Sequence, residues 1–216
     1  MLELVIGNRN YSSWSLRPWF LLKALAIPFT ATRIPLFEAG SAEAIARVSP
    51  SGKLPVLRDG GLVVWESLAI LETLAERYPA AWPADPAVRA HARSVATEMH
   101  GGFGALRSEL PMNCRARRRI EPSSAARADI ARVHAIWREC RARHAAAGPW
   151  LFGSVSVADA MYAPVVSRFA TYGVQGDAMI EAYVAHVLDS PPLREWFAGA
   201  ATEKETIAQS EIGSPV

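Results

Sequence analysis

The chain has 216 residues, half of them hydrophobic, and a formal net charge of +2. This length supports one large domain or two modest ones. No apolar run reaches the ~18–20 residues of a membrane span, and the small net charge gives no reason to expect nucleic acid or a membrane as partner. Two isolated cysteines are too few for a disulfide framework or a thiolate metal site. We therefore expect a cytoplasmic protein without a metal site.

The first eighty residues alternate between strand and helix patterns. Residues 2–7 are typical of a buried strand, 15–26 of a helix, 29–36 of a strand and 41–50 of a short helix. Residues 54–65 predict two short strands around the turn signal Asp59-Gly60-Gly61, and 66–79 predict an amphipathic helix. The expected order is β-α-β-α-β-β-α, with parallel and antiparallel pairs in one mixed four-stranded sheet.

A proline-rich linker, "PAAWPADP" at 79–86, separates this part from one with only helix and loop patterns. Helices are predicted at 86–110, 123–147, 156–172 and 177–188, and a short one after Pro191. The sequence therefore predicts an α/β domain at 1–79 and an all-α domain at 87–216. The tail from Thr202 is expected to be loosely held.

Positive charge is concentrated in residues 107–143, which hold 10 arginines and 4 acids. Four of these arginines lie together, at 115, 117, 118 and 119. A basic cluster can attract anionic ligands. On a helix face, however, such residues more often form a solvated surface, and we favour that interpretation.

Three serines, Ser12, Ser13 and Ser15, lie in the stretch "NRNYSSWSLRPW" between the first strand and the first helix. Serines commonly cap helices and fill turns, and Ser15 stands where the N-cap of this helix is expected. A hydroxyl at a helix N-terminus can also hold an anion. The stretch alone does not distinguish the two interpretations.

The segment "SGKLPVL" places Pro55 at the mouth of the third predicted strand. The Leu54–Pro55 bond is a candidate for cis geometry, which would turn the Leu54 backbone outward to pair with an extended peptide. An ordinary trans bond is the alternative.

In "WESLAI", Glu66 and Ser67 begin a helix directly after a strand. Unpaired amides and a hydroxyl at a helix N-terminus suit a carboxylate, and the Glu66 side chain suits an ammonium group. The pair could therefore bind an α-amino acid. By itself, a helix cap followed by an ordinary first turn is the more common explanation.

The three motifs fall at loop ends of one βαβαββα unit, and this arrangement closely resembles the thioredoxin-like N-terminal domain of the glutathione S-transferases. Ser156 and Asp159 form an S-x-x-D capping box on a later helix, as in that family. The chain length and the linker position extend the resemblance over nearly the whole sequence. The fold it implies is a thioredoxin-like α/β domain followed by an all-α domain.

Within the family, "YSSWSLRPW" is most similar to the "SSCSxR" run of the zeta class, with Trp14 where that class has cysteine. The resemblance implies that Ser12 contacts the glutathione sulfur, with Ser13 as the adjacent hydroxyl and close alternative. It further implies that the tripeptide is bound by Arg17, Lys53, Leu54, Pro55, Glu66 and Ser67.

The implied activity is transfer of glutathione to a small electrophile that lies against the first long helices of the second domain. Phe103, Arg107 and Met112 are our candidates to bind the electrophile, whereas His100 and Cys114 are interpreted as packing residues. Two alternatives remain, namely a cis–trans isomerase of the maleylacetoacetate type and a non-catalytic glutathione-binding protein. The family also implies a homodimer that joins residues 60–80 of one subunit to residues 87–110 of the other.

Overall fold

A computed structural model describes all 216 residues. The first part contains four strands and three helices: β1 (Leu2–Ile6), α1 (Ser13–Ala24), β2 (Phe29–Arg33), α2 (Ser41–Val48), β3 (Val56–Asp59), β4 (Leu62–Val64) and α3 (Ser67–Arg77). The sheet order is β2-β1-β3-β4, in which β1 and β2 are parallel and the other pairs antiparallel. The predicted order of elements and the mixed four-stranded sheet are confirmed.

The first core forms where α1 and α3 pack on each other and against β1 and β3. Leu4 and Ile6 of β1 and Leu57 of β3 are buried, as their spacing in the strands predicts. Burying a side chain of this size contributes about 1.5–3 kcal/mol. The β3–β4 hairpin turns at Gly60, whose φ of 58° is one that glycine adopts without steric cost.

The second part is helical: α4 (Pro86–Gly101), α5 (Gly104–Glu109), α6 (Ser124–His144), α7 (Val157–Tyr172), α8 (Ala178–Asp189) and α9 (Pro191–Thr202). A pair of two-residue strands, β5 (Arg118–Arg119) and β6 (Ser214–Pro215), is the one β element here and was not predicted. Helix α7 is buried along almost its whole length and contacts α1, α4 and α8, so it joins the two parts. None of the helices combines the length and apolarity needed to span a bilayer.

The prediction of one helix over 86–110 is wrong, because the chain breaks between α4 and α5. Phe103 adopts a φ of 58° at the break, and its side chain is buried in the core. Glycine is a poor helix former, and Gly101, Gly102 and Gly104 surround this position. The Leu106 amide of the new helix donates to Asp129 of α6 at 3.0 Å.

The predicted start of the first helix at Ser15 is also wrong. Helix α1 begins at Ser13, with Ser12 in the N-cap position but without a side-chain capping bond. The Ser15 hydroxyl accepts from the Gly7 amide at 3.1 Å and from the Ser12 hydroxyl at 2.8 Å. Ser15 therefore ties the helix to the end of β1, a tertiary contact that took precedence over local capping.

The tail, residues 203–216, is not loosely held as predicted. Glu203 is only 9% exposed, and its carboxylate accepts from the backbone amides of Arg9 and Asn10. Arg115 and Arg118, interpreted from the sequence as solvated, donate to Glu203 and Glu211 of the tail. Half of the four-arginine cluster therefore anchors the C-terminal segment.

The predicted capping box at the start of α7 is present. The Asp159 carboxylate accepts from the Ser156 amide at 2.9 Å and from its hydroxyl at 3.0 Å. It also accepts from the Leu151 amide at 2.9 Å and from the Tyr183 hydroxyl at 3.1 Å. The box thus joins α7 to the preceding loop and to α8.

Candidate active site

A cleft of about 530 Å³ lies between the sheet domain and the helical domain. The sheet domain contributes most of its walls, and the helical domain contributes two polar side chains. The lining residues are Trp14, Ser51, Lys53, Leu54, Pro55, Trp65, Glu66, Ser67, His100 and Arg107. The cleft thus brings together the predicted Lys53–Pro55 and Glu66–Ser67 motifs.

One wall is the segment that leads into β3. The Ser49 hydroxyl donates to the Lys53 carbonyl at 2.6 Å and accepts from the Lys53 amide at 3.2 Å, which fixes the turn. The Leu54–Pro55 bond is cis. Neither the amide nor the carbonyl of Leu54 is hydrogen-bonded within the chain. Both are therefore available to an extended peptide.

A second wall is the N-terminus of α3. Glu66 occupies the N-cap position, and its carboxylate accepts from the Leu68 amide at 3.2 Å. Ser67 is only 1% exposed, and its hydroxyl has no hydrogen-bond partner in the chain. Buried hydroxyl groups are normally paired, and this one lines the cleft, where it is available to a ligand.

His100 of α4 links the helical domain to this wall. Its Nε2 atom lies 3.5 Å from Oε2 of Glu66, and its ring meets the edge of Trp14 with the centroids 5.4 Å apart. Nδ1 of His100 is buried without a partner. Although the sequence suggested a packing residue, His100 lines the cleft.

Two guanidinium groups lie against Trp14, and of these Arg107 lines the cleft whereas Arg17 does not. Cζ of Arg17 lies 4.1 Å from the ring centroid, and Cζ of Arg107 lies 5.5 Å from it. Arg17 is 1% exposed and donates only to the carbonyls of Met161 and Ser13. Burial lowers the pKa of Arg17 to about 9, so the group remains cationic at neutral pH. Neither arginine has an ion-pair partner within 4 Å, and the Arg107 guanidinium donates to the His100 carbonyl at 3.2 Å.

Ser12 and Ser13 directly precede Trp14 but do not line the cleft, and they are 7% and 8% exposed. The Ser12 hydroxyl donates to Ser15, whereas the Ser13 hydroxyl makes no hydrogen bond. The neighbouring Tyr11 hydroxyl donates to Glu211 of the tail at 2.6 Å and does not face the cleft.

Two of the three residues predicted to bind the electrophile do not line the cleft. Phe103 and Met112 are buried in the core, and only Arg107 lines the cavity. Met112 lies beyond α5, in the segment that leads to β5. Cys114 is also buried, which raises the pKa of its thiol to about 12, in agreement with a packing role.

The sequence did not identify four lining residues, Trp14, Ser51, Trp65 and His100. Ser51 and Trp65 lie within two residues of predicted site positions, so proximity to those motifs was the available signal. The orientation of His100 depends on how the two domains pack, and no local pattern encodes it.

The fold and the cleft define a two-domain protein with a thioredoxin-like α/β domain, an all-α domain and a polar site between them. Family models agree with both parts. Residues 11–77 match the glutathione S-transferase N-terminal domain, and residues 116–199 match the C-terminal domain. The chain belongs to the glutathione S-transferase family.

Comparisons with individual proteins agree with this family assignment. The chain is 33% identical over 100 residues to a probable maleylacetoacetate isomerase of Caenorhabditis elegans, a match that covers 45% of this chain and 46% of the relative. A glutathione transferase homologue from Burkholderia, crystallised with glutathione, superimposes with a TM-score of 0.71 at 21% identity, covering 94% of this chain and 99% of that one. A diazinon-metabolizing transferase of the silkworm Bombyx mori gives a TM-score of 0.72 at 18% identity, with 93% and 97% covered.

Proposed function

We propose that the protein is a glutathione transferase that binds glutathione in the interdomain cleft and stabilises its thiolate for attack on a small electrophile. The observation that carries the proposal is the unpartnered hydroxyl of Ser67, buried at the start of an 11-residue helix. A carboxylate there would accept from this hydroxyl and from the free amides of the first turn. The glutathione-bound relative supports this choice of ligand.

The rest of the cleft suits the other groups of the tripeptide. Glu66 offers a carboxylate to the γ-glutamyl ammonium group, next to the carboxylate site at Ser67. The free backbone amide and carbonyl of Leu54 suit an extended cysteinyl residue, and Lys53 offers a positive charge to the glycyl carboxylate. These assignments follow the family resemblance position by position.

The thiol of glutathione must lose its proton to react, because the thiolate is the nucleophile and a free thiol has a pKa of ~8.5. A serine hydroxyl at the start of α1 can donate to the sulfur, and the helix N-terminus and the buried Arg17 add positive potential. The thiolate then forms a carbon–sulfur bond, and the leaving group departs with the electron pair. Ser12 and Ser13 would therefore stabilise an anion and would not act as nucleophiles.

The two domains would bind different reactants. Residues 1–79 supply every group assigned to glutathione, and residues 87–216 supply His100 and Arg107 on the facing wall. An electrophile would lie between these two side chains and Trp14. Because Phe103 and Met112 face the core, we assign neither of them to the electrophile.

One observation favours a second activity, glutathione-dependent cis–trans isomerisation of an anionic diacid. Arg107 lines the cleft and Arg17 lies behind Trp14, and neither has an ion-pair partner within 4 Å. The matched part of the C. elegans relative agrees with this alternative. An assay panel with an aryl halide, a maleylacetoacetate-like diacid and a peroxide distinguishes the two, and binding without turnover of any substrate would indicate a non-catalytic protein.

The first prediction concerns Ser67. We expect Ser67→Ala to weaken glutathione binding by about 1–3 kcal/mol, because the ligand carboxylate loses its hydroxyl donor. Isothermal titration calorimetry measures the effect, with Thr73→Ala as the control. Thr73 lies on the same helix, and its hydroxyl bonds only the Ala69 carbonyl. Equal affinities of Ser67→Ala and wild type would remove Ser67 from the site, and no binding by wild type would refute the proposed function.

We also propose a homodimer through residues 60–80 and 87–110, supported by Leu62, an apolar side chain that is 43% exposed in the first of these segments. Light scattering at micromolar concentration should give about twice the chain mass of 23.5 kDa. Leu62→Lys should shift the mass toward the monomer. Met179→Lys, at a residue 41% exposed outside the predicted interface, should not. A wild-type mass near 23.5 kDa would contradict the proposal.

A cytoplasmic location is the compartment we propose. Both cysteines, Cys114 and Cys140, are buried and unpaired, which agrees with a reducing environment. Fractionation of cells that produce the protein tests the location.

A further inference from the structure

The loop Asn8–Ser12 carries the serine assigned to the thiolate, and its backbone is held by the tail. The Glu203 carboxylate accepts from the Arg9 amide at 2.7 Å and from the Asn10 amide at 3.0 Å. The Arg9 carbonyl accepts from the indole of Trp196 at 2.7 Å. This loop is therefore fixed by residues almost 200 positions away in the sequence.

Tyr11, next to Ser12, makes the most direct link to the tail. Its hydroxyl donates to Oε1 of Glu211 at 2.6 Å and accepts from Arg115 at 3.0 Å. Tyr11 is 8% exposed, and both hydrogen bonds of its hydroxyl are partly buried. The Ser12 amide in turn donates to the Asn8 carbonyl at 2.8 Å, which closes the turn.

Asn113 connects Glu211 to the same loop through a second set of hydrogen bonds. Its side-chain amide donates to Glu211 at 2.8 Å, and its side-chain oxygen accepts from Asn10 at 2.9 Å. Arg118 donates to the other oxygen of the Glu211 carboxylate. None of Glu211, Tyr11 or Asn113 lines the cleft, so these residues do not touch a ligand there.

We propose that Tyr11 and Glu211 are positioning residues for the thiolate site. In this proposal, the tail holds the Ser12 hydroxyl at hydrogen-bond distance from the bound sulfur. This inference rests on the proposed function. The strength of a hydrogen bond falls steeply as its distance and angle depart from the optimum. A shift of the Ser12 turn by a fraction of an ångström would therefore weaken thiolate stabilisation while the distant glutathione contacts at Glu66 and Ser67 stay in place.

The test uses the full-length chain with Tyr11→Phe, which deletes one hydroxyl, and Glu211→Ala, which removes both connections to the loop. The matched control is Glu205→Gln, since the Glu205 side chain lies on the same tail and pairs with Arg33 instead of the loop. Three quantities are measured for each variant: the glutathione affinity by calorimetry, the pH dependence of bound-thiolate absorbance, and the thermal midpoint.

We expect Tyr11→Phe and Glu211→Ala to raise the apparent pKa of the bound thiol by about half a unit or more, which is about a threefold loss of thiolate at a pH below that pKa. Glutathione affinity should change by less than about twofold, and the control should match wild type. A lower thermal midpoint with an unchanged thiolate pKa in both variants would show that the tail is only structural and would overturn the inference. A wild type that binds glutathione without forming a thiolate would also overturn it, whereas a wild type that does not bind glutathione would refute the proposed function itself.

Discussion

Replacing Ser12 with alanine should raise the apparent pKa of the bound glutathione thiol by about one to two units. A charge-assisted hydrogen bond contributes about 1.5–3 kcal/mol, and each pKa unit corresponds to about 1.4 kcal/mol. Glutathione affinity at low pH should stay within about twofold of wild type, because a neutral thiol gains little from the hydroxyl. The measurement is the absorbance of the bound thiolate as a function of pH.

On the proposed function, the Ser12 hydroxyl would change its acceptor when glutathione binds. Ser12 Oγ donates to Ser15 Oγ at 2.8 Å, a bond between two neutral groups. A thiolate is the stronger acceptor, so the hydroxyl proton would turn from Ser15 to the sulfur. Ser15 would still accept from the Gly7 amide, and α1 would keep its attachment to β1.

Ser13→Ala is the matched comparison, because the Ser13 hydroxyl is adjacent and makes no hydrogen bond in the chain. We expect it to leave the thiolate pKa near the wild-type value. A raised pKa in Ser13→Ala but not in Ser12→Ala would move the assignment by one residue. If neither variant changes the pKa, backbone amides alone hold the sulfur.

The largest effect on stability is expected for Asp159→Ala, with a loss of about 3–5 kcal/mol in the free energy of unfolding. The carboxylate accepts four hydrogen bonds, from two backbone amides and two hydroxyls, and it is fully buried. Burial raises the pKa of Asp159 to about 6, which leaves it ionised at pH 7. Each buried donor that loses its acceptor costs about 1–3 kcal/mol, and part of this cost is relieved by rearrangement.

Urea denaturation at pH 7 measures this loss, and Asp189→Ala is the control. Asp189 carries the same charge, but its side chain is 83% exposed and pairs only with Arg194. An exposed pair of this kind contributes less than about 1 kcal/mol. If the free energy of unfolding falls by a similar amount in the two variants, the capping box does not stabilise α7 as described.

The elements of the sheet domain were predictable because each is encoded locally. Leu4, Ile6 and Leu57 follow the spacing of buried strands, and Gly60 supplies the positive φ of the hairpin. The Glu66–Ser67 motif was recognisable for the same reason, since a helix that follows a strand directly exposes its first turn. Local pattern together with the family resemblance was therefore sufficient to predict that Lys53–Pro55 and Glu66–Ser67 share one site.

The features that the sequence did not predict depend on long-range contacts. Ser15 was expected to cap a helix, but its hydroxyl accepts a hydrogen bond from the amide of Gly7 instead. The tail was expected to be loose, yet Glu203 and Glu211 find their donors near the other end of the chain. Phe103 and Met112 were expected to face the cleft, but Phe103 lies at an unpredicted break between two helices and both side chains are buried in the core.

The attachment of the tail also affects the order in which parts of the chain can reach their final conformation during protein synthesis. A ribosome makes the sheet domain first, and its strands and helices can pair before the helical domain emerges. A nascent chain that ends before residue 203 nevertheless lacks the acceptors of the Arg9, Asn10 and Tyr11 donors. The loop Asn8–Ser12 can therefore make these contacts only after residues 203–211 have been translated, later than the strands and helices of the sheet domain.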